Sequence, residues 1–223
     1  MSPDGTRIAY VEKANELDCH GCPETLAAVN VDGTGLHTFP NSPSQDVPYD
    51  DQPSFSPDGK TILFVRSGPN TTGLFTVPSA GGPVHDLKLS GSDAVWGPSR
   101  IAFSAWSSGT PSTVLPDGTG LTAVHGARGG GVAAWSPDGK LAYLQSLNGR
   151  LSILLPASGK RMPLPGFADT YLGGLAWSPD GTRFAFVATD TEGVSDVWTI
   201  GVDGSTLTRV THGLGAVTSL AWR

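Results

Sequence analysis

The four-residue sequence Ser-Pro-Asp-Gly recurs along the chain, and this repeat constrains the fold more than any other feature. It stands at 2–5, 56–59, 136–139 and 178–181, and a degenerate copy, Trp-Gly-Pro-Ser, stands at 96–99. Counted through to the end of the chain, successive copies are 54, 41, 39, 42 and 45 residues apart. Four of these five steps are close to the roughly 40–45 residues of one four-stranded propeller blade. The spacing therefore predicts a β-propeller.

Each copy of the motif also fits a tight turn between two strands. An aromatic residue precedes it in three copies, at Phe55, Trp135 and Trp177, and a short apolar run follows it. Proline sets the φ of such a turn, aspartate caps its amides, and glycine supplies a left-handed position. We interpret the motif as a turn and the repeated tryptophans as packing between blades, and neither as catalytic.

A second turn signal lies downstream of the motif. Asp-Gly stands between two short apolar runs at 32–33, 117–118 and 203–204, which is typical of a hairpin. Each repeat therefore predicts four strands, A to D, with Ser-Pro-Asp-Gly joining A to B and the second turn joining C to D.

The predicted D strands carry residues that suit the exposed edge of a blade. These residues are His37, His85, Pro163 and Arg209. A proline or a polar side chain does little harm where the backbone has no further strand to pair with. We therefore expect D to be the outermost strand.

The predicted fold class is all-β: a β-propeller of four-stranded antiparallel blades, with five blades in one domain over 1–223. The chain starts before a B strand and ends after an A strand, so a C-terminal strand at about 217–222 is expected to close the first blade. The alternative is an open fragment that lacks blades upstream. The repeats run over about 2–55, 56–96, 97–135, 136–177 and 178–222.

Charge and hydropathy exclude two classes of partner. The net charge is −6 and there is no run of lysine or arginine, whereas nucleic acid requires a positive surface. No apolar run approaches the ~18 residues that a membrane span requires. The expected partner is a protein or peptide, with no nucleic acid, no membrane insertion and no cofactor, and the chain is expected to be monomeric.

At the residues of the fifth repeat the sequence resembles the TolB-like propeller repeat, a WD40-like family. Residues 177–186 read Trp-Ser-Pro-Asp-Gly-Thr-Arg-Phe-Ala-Phe, and 197–211 match the second half of that repeat. The resemblance covers the whole chain and implies a binding or scaffolding propeller in the periplasm or outside the cell. Similar repeats form the gates of prolyl-oligopeptidase-type serine peptidases and the propeller of oligogalacturonate lyase. The alternative function is therefore the propeller part of a larger enzyme, either a peptidase gate or a polysaccharide-active protein.

The sequence offers no catalytic constellation, so we expect no enzyme activity. There is no Gly-x-Ser-x-Gly nucleophile elbow. The five histidines lack the spacing of metal ligands, so no metal site is predicted.

One local motif, Cys19-His20-Gly21-Cys22, has three interpretations. The two cysteines could form a disulfide, which suits an oxidising compartment, or remain two reduced thiols. They could also be half of a zinc site whose second ligand pair is missing. We favour the disulfide.

Function is expected on the face formed by the B–C and D–A loops, called the loop face below, because these loops vary while the A–B and C–D turns are uniform. The segment 49–51, Tyr-Asp-Asp, precedes an inner strand and predicts an acidic rim for a cation or a basic peptide. The candidate binding residues are Tyr49, Asp50, Asp51, Arg66, Trp106, His125, Arg128, Asp169, Tyr171, Asp190 and Glu192, with Asp18 and His20 on the same face.

Overall fold

The computed structural model describes residues 1–13, 24–39, 49–68, 72–106, 108–128, 131–168, 174–190, 192–213, 217 and 220–222. Among these residues the regular secondary structure consists of β-strands. The chain divides into two compact units, 1–107 with 114–121, and 108–113 with 122–223. Among the described residues no helix could cross a membrane.

The described residues form twenty strands, in the following order along the chain. They are β1 (Arg7–Lys13), β2 (Glu24–Asn30), β3 (His37–Thr38), β4 (Tyr49–Phe55), β5 (Thr61–Ser67), β6 (Gly73–Pro78), β7 (His85–Asp86), β8 (Gly91–Trp96), β9 (Ile101–Ala105), β10 (Thr110–Val114), β11 (Thr122–Ala123), β12 (Gly131–Trp135), β13 (Leu141–Leu147), β14 (Arg150–Leu155), β15 (Lys160–Pro163), β16 (Phe167–Ala168), β17 (Leu175–Trp177), β18 (Arg183–Asp190), β19 (Ser195–Gly201) and β20 (Thr208–Arg209).

The sheets confirm the predicted class of four-stranded antiparallel blades. The strand orders β11-β10-β9-β8 and β12-β13-β14-β15 are complete blades, and β17 to β20 make another, with β16 also paired to β18. The strands β4 to β7 form the second blade, and β1 to β3 the first; a single parallel pair, Glu24 with Tyr49, joins these two. The predicted outer strands β3, β7, β15 and β20 are edge strands, as expected.

The closure of the ring and the number of blades remain predictions. The described part of the expected closing strand is residues 217 and 220–222, and these do not lie in a β-strand. The single domain over 1–223 likewise stays a prediction.

The Ser-Pro-Asp-Gly turns have the structure expected of them, and serine adds a role that the sequence did not reveal. In the turn at 56–59, Ser56 Oγ donates to Asp58 Oδ1 at 2.6 Å and accepts the backbone N–H of Thr61 at 3.0 Å. Asp58 also accepts the backbone N–H of Lys60 at 3.0 Å, and Gly59 has a φ of 69°. The buried serine hydroxyl thus connects the cap of the turn to the start of strand B.

These hydrogen bonds make the turns sensitive to acid. The hydrogen bond from Ser178 contributes most to lowering the pKa of Asp180, which falls to about 2. The hydrogen bond from Ser2 has the same effect on the pKa of Asp4. An aspartate whose pKa falls on folding stabilises the fold above its ordinary pKa of 3.8, and that contribution is lost as the pH falls through the folded value.

We expect Ser178→Ala to flatten this acid dependence. The free energy of unfolding of the native chain should fall between about pH 4 and about pH 2, and the fall should be smaller in the variant because Asp180 regains a more ordinary pKa. Urea titrations over this pH range measure both slopes. Ser158→Ala, at an exposed turn without an aspartate, is the matched control and should keep the native slope. Equal slopes for native chain and Ser178→Ala would contradict the role given to the serine.

The cores lie between neighbouring blades within each unit. In the first unit, Leu63, Val65 and Leu74 of the second blade pack against Ile101 and Phe103 of the third. In the second unit, Trp177 is buried between the fourth and fifth blades, and its Nε1 donates to the carbonyl of Ala134 at 3.2 Å. The prediction that this tryptophan packs between blades is confirmed.

Candidate functional site

Two neighbouring inner strands of the first unit are interrupted at the same place. The pairing of β4 with β5 shifts between Asp51 and Ser54, and the pairing of β8 with β9 shifts between Ser92 and Val95. Such β-bulges redirect side chains and are common next to functional sites.

The two bulges are bonded to each other. Gln52 and Asp93 occupy the extra positions with φ of 54° and 53°, which is the left-handed region. The side-chain Oε1 of Gln52 accepts the backbone N–H of Asp93 at 2.6 Å. This contact fixes the two inner strands relative to each other at the level of the bulges.

Two carboxyl groups, Asp51 and Asp93, stand at the two bulges. Burial raises the pKa of Asp93, a hydrogen bond from Ser92 Oγ at 2.9 Å opposes the rise, and the charge of exposed Asp51 adds to it. Carboxyl groups at the two bulges favour a cationic group on a ligand. Acidic residues therefore do lie at this edge, but they are Asp51 and Asp93 and not the predicted Asp50 and Asp51.

Asp93 was missed by the sequence analysis, but a signal for it exists. Gln52 lies three residues before Phe55, which ends its strand, and Asp93 lies three residues before Trp96, which ends the next inner strand. When the repeats are aligned on these aromatic residues, Asp93 coincides with Gln52 and so lies next to the predicted segment 49–51.

The prediction that Asp50 belongs to an exposed acidic rim is wrong, and the candidate binding residue Arg66 is buried as well. Arg66 Nε donates to Asp50 Oδ1 at 2.6 Å and Nη2 donates to Oδ2 at 2.9 Å, with side chains 5% and 0% exposed. Asp50 Oδ2 also accepts the backbone N–H of Leu26 at 3.3 Å. Asp50 and Arg66 thus form a buried ion pair with two parallel hydrogen bonds. They stabilise the strands and are not available to a ligand.

Two predicted aromatic residues do lie exposed on the loop face of the first unit. Tyr49 begins β4 and is 39% exposed, and Trp106 follows β9 and is 47% exposed. The backbone N–H of Trp106 donates to the carbonyl of Ser90, directly before β8, at 3.1 Å. Both residues therefore lie beside the starts of adjacent inner strands, β4 and β8.

In the second unit three of the predicted residues are exposed, and a fourth is bonded within its own loop. His125, Arg128 and Glu192 are exposed. Asp190 instead turns into its own loop, where its Oδ1 accepts the backbone N–H groups of Glu192 and Val194 at 2.9 and 3.0 Å. Asp190 is therefore a loop cap.

Some predictions lie outside the described residues. These are the candidates Asp18, His20, Asp169 and Tyr171 and the pair Cys19 and Cys22, so the disulfide stays a prediction. Within the described ranges no three His, Cys, Asp or Glu side chains are grouped as metal ligands would be.

Known structures resemble this fold over most of the chain. TolB from Acinetobacter baumannii matches with a TM-score of 0.71 and 19% identity, over 92% of this chain and 53% of that one. A puromycin hydrolase matches with a TM-score of 0.69 and 18% identity, over 94% of this chain and 36% of that one. The nidogen/laminin complex matches with a TM-score of 0.69 and 14% identity, over 97% of this chain and 80% of that one.

These comparisons establish a fold. The chain has the TolB-like propeller fold, and it spans about half the length of the TolB chain and about a third of the puromycin hydrolase chain. No protein-family model and no curated protein matches the sequence. The similar structures include binding proteins and an enzyme, so the fold is compatible with either function.

Proposed function

We propose that the chain is a non-catalytic, extracytoplasmic propeller that binds a protein or peptide on its loop face. The observation that carries the proposal is the edge of the second and third blades, where Tyr49 and Trp106 are exposed and the bulged inner strands carry Asp51 and Asp93, called the carboxyl pair below. Tyrosine and tryptophan are enriched at protein interfaces because each buries a large area and still offers a polar atom.

The support beneath these residues favours binding by a preformed surface. The buried pair Asp50 and Arg66 bonds β4 to β5, and Gln52 bonds β4 to β8. A surface that is already ordered loses less entropy when a partner binds, so more of the contact energy appears as affinity. The carboxyl pair adds selectivity for a basic group on the partner.

The similar structures support this proposal without deciding it. One of them is a complex between two proteins, nidogen and laminin. The match with puromycin hydrolase supports the second candidate, a propeller that forms part of a larger enzyme. In that case substitutions on the loop face would change kcat/KM of a hydrolase domain in the same polypeptide instead of the affinity for a separate protein.

Site-specific crosslinking followed by binding measurements tests the first proposal. A photoreactive phenylalanine analogue at position 49 or 106 should crosslink a partner in extracts of the native host. The same analogue at Leu36, 58% exposed at a C–D turn, is the control and should not. For the purified partner, Tyr49→Ala and Trp106→Ala should each raise Kd about 30-fold, as for a central aromatic contact.

The carboxyl pair gives an independent measurement. Asp51→Asn with Asp93→Asn should weaken binding and reduce its dependence on salt, because screening acts on the charge that has been removed. Crosslinking at position 36 equal to that at 49 and 106, or a Kd unchanged by both aromatic substitutions, would refute the proposal.

A further inference from the structure

An arginine occupies the same position in the outer strand of the fourth blade and in that of the fifth. Arg161 in β15 pairs with Leu154, and Arg209 in β20 pairs with Trp198. In both blades the ladders run without a register shift from the tryptophan before the turn motif to these pairs. The two arginines are therefore equivalent positions of the repeat.

In the fifth blade the guanidinium of this arginine has a carboxylate partner. Asp196, on the neighbouring strand β19, accepts Arg209 Nε at 2.9 Å. The carboxylate is fully buried, whereas the side chain of Arg209 is 31% exposed. The fifth blade thus shows which group matches an arginine at this position of the repeat.

The fourth blade has a serine where the fifth has that aspartate. Ser152 pairs with Gln145 in one ladder. Asp196 pairs with Ala188 at the equivalent point of the other. Arg161 Nη1 donates to Ser152 Oγ at 3.2 Å, so its guanidinium approaches the same position. Because a hydroxyl group is neutral, the serine does not balance the charge of Arg161.

The other contacts of Arg161 are neutral as well. Its Nη2 donates at 2.9 Å to the carbonyl of Gly126, in the loop that joins the third blade to the fourth. The side-chain amide of fully buried Gln145 lies against the same guanidinium. Among the described residues no carboxylate contacts Arg161, and its Nε has no acceptor. Arg161 is exposed, so a carboxylate of another molecule can reach it.

The amide of Gln145 cannot satisfy all the donors around it. With its oxygen toward Arg161 it accepts from Nη1 and Nη2, and its NH2 group then faces the backbone N–H of Arg128. With its oxygen toward Arg128 it accepts that N–H at 3.4 Å, and the NH2 group faces the guanidinium. Either orientation leaves a donor facing a donor. An acceptor from another molecule would satisfy a donor that the amide leaves unpaired, and a carboxylate would also balance the charge.

The surrounding sequence contributes no competing carboxylate to this loop. Between positions 94 and 168 the acidic residues are Asp117 and Asp138. Asp117 caps its own C–D turn and Asp138 stands in a Ser-Pro-Asp-Gly turn, so both lie on the face opposite to the loop face. Exposed Arg128 adds a second positive charge to the loop. In a chain of net charge −6, the loop between the third and fourth blades is therefore cationic.

We propose that Arg161 binds a carboxylate in an acidic segment of a partner protein, and that Arg128 provides a second positive charge for the same segment. The bound carboxylate takes the role for Arg161 that Asp196 takes for Arg209, and the planar guanidinium suits it. The site goes beyond the function proposed above, because it lies in the second unit and selects an acidic group, whereas the carboxyl pair of the first unit selects a basic one. It does not depend on that function, because a free acidic peptide is sufficient to occupy it.

A titration with two blocked peptides, tetraglutamate and tetraglutamine, tests the site directly. The two peptides have nearly the same shape, but only tetraglutamate carries carboxylates. In NMR spectra of the full chain at low salt, tetraglutamate should shift the resonances of the Gly126 amide and of the Arg161 Nε–H in a saturable way. We expect tetraglutamine to bind at least about tenfold more weakly, which corresponds to the loss of a hydrogen bond between charged groups.

Two substitutions act on the charge of the site. Ser152→Asp builds the arrangement of the fifth blade into the fourth, and its own carboxylate should compete with the peptide. Arg161→Gln removes the charge at an exposed position, so it provides the test even if Ser152→Asp lowers Tm. Each should weaken the binding of tetraglutamate at least about tenfold.

Two control variants distinguish this site from other causes. Lys140→Gln removes an exposed positive charge from the A–B turn of the same blade and should leave the binding unchanged. Tyr49→Ala should also leave it unchanged, which separates this site from the surface of the first unit. Absence of saturable shifts, equal binding of the two peptides, or an equal loss in Lys140→Gln overturns the proposal. Unchanged binding in Arg161→Gln, or in a folded Ser152→Asp variant, overturns it as well.

Discussion

Replacing Asp50 with alanine is expected to lower the free energy of unfolding by about 3–5 kcal/mol. The substitution removes the carboxylate that the buried Nε and Nη2 of Arg66 contact, and it removes the acceptor for the backbone N–H of Leu26. Arg66 also lies over the rings of Phe64 and Phe75, at 5.0 and 5.7 Å, so it has no ready route to solvent. The large cost arises because a buried charge loses this carboxylate, not from the intrinsic strength of the ion pair.

A double substitution separates these two contributions. Asp50→Ala with Arg66→Met removes both charges, and much of the lost stability should return because no charge stays buried. Lys140→Ala, which breaks the exposed pair of Lys140 and Asp138, is the control and should cost less than about 1 kcal/mol. Urea unfolding measures all three variants. A loss from Asp50→Ala as small as that from Lys140→Ala would show that the pair is not buried in solution.

The position of Asp50 shows where sequence reasoning stops. The motif predicts strands β4 and β5 and the turn between them, and Phe55 does pair with Ile62. A regular ladder counted back from that pair would place Asp51, and not Asp50, opposite Arg66. The bulge between Asp51 and Ser54 shifts the pairing by one residue, so Asp50 meets Arg66 and Asp51 is exposed. No local sequence signal predicts such a shift. A register shift of one residue moves a side chain from a buried position to an exposed one.

The turns illustrate the opposite case. Ser-Pro-Asp-Gly determines its own conformation through hydrogen bonds among its own residues and the next two, so sequence predicts it well.

Replacing Asp196 with alanine is expected to cost about 3 kcal/mol and to release the outer strand of the fifth blade. The carboxylate of Asp196 is fully buried in β19. It accepts Arg209 Nε at 2.9 Å, Thr211 Oγ1 at 2.7 Å and the backbone N–H of Gly213 at 2.9 Å. These three donors all follow β19 in the chain, so one side chain holds the segment that contains β20.

The cost should be smaller than for Asp50 because the side chain of Arg66 is only 5% exposed, whereas that of Arg209 is 31% exposed. Its guanidinium lies 5.6 Å from the ring of Trp198, and Asp190 lies 3.7 Å from its Nη1. Hydrogen exchange measures the local effect: the amide of Val210, bonded to the carbonyl of Val197 at 2.8 Å, should lose protection in Asp196→Ala. Asp196→Asn retains an acceptor without the charge and should fall between native chain and alanine variant. If Val210 stays protected in the alanine variant, the segment is held by backbone pairing, and the role given to Asp196 is wrong.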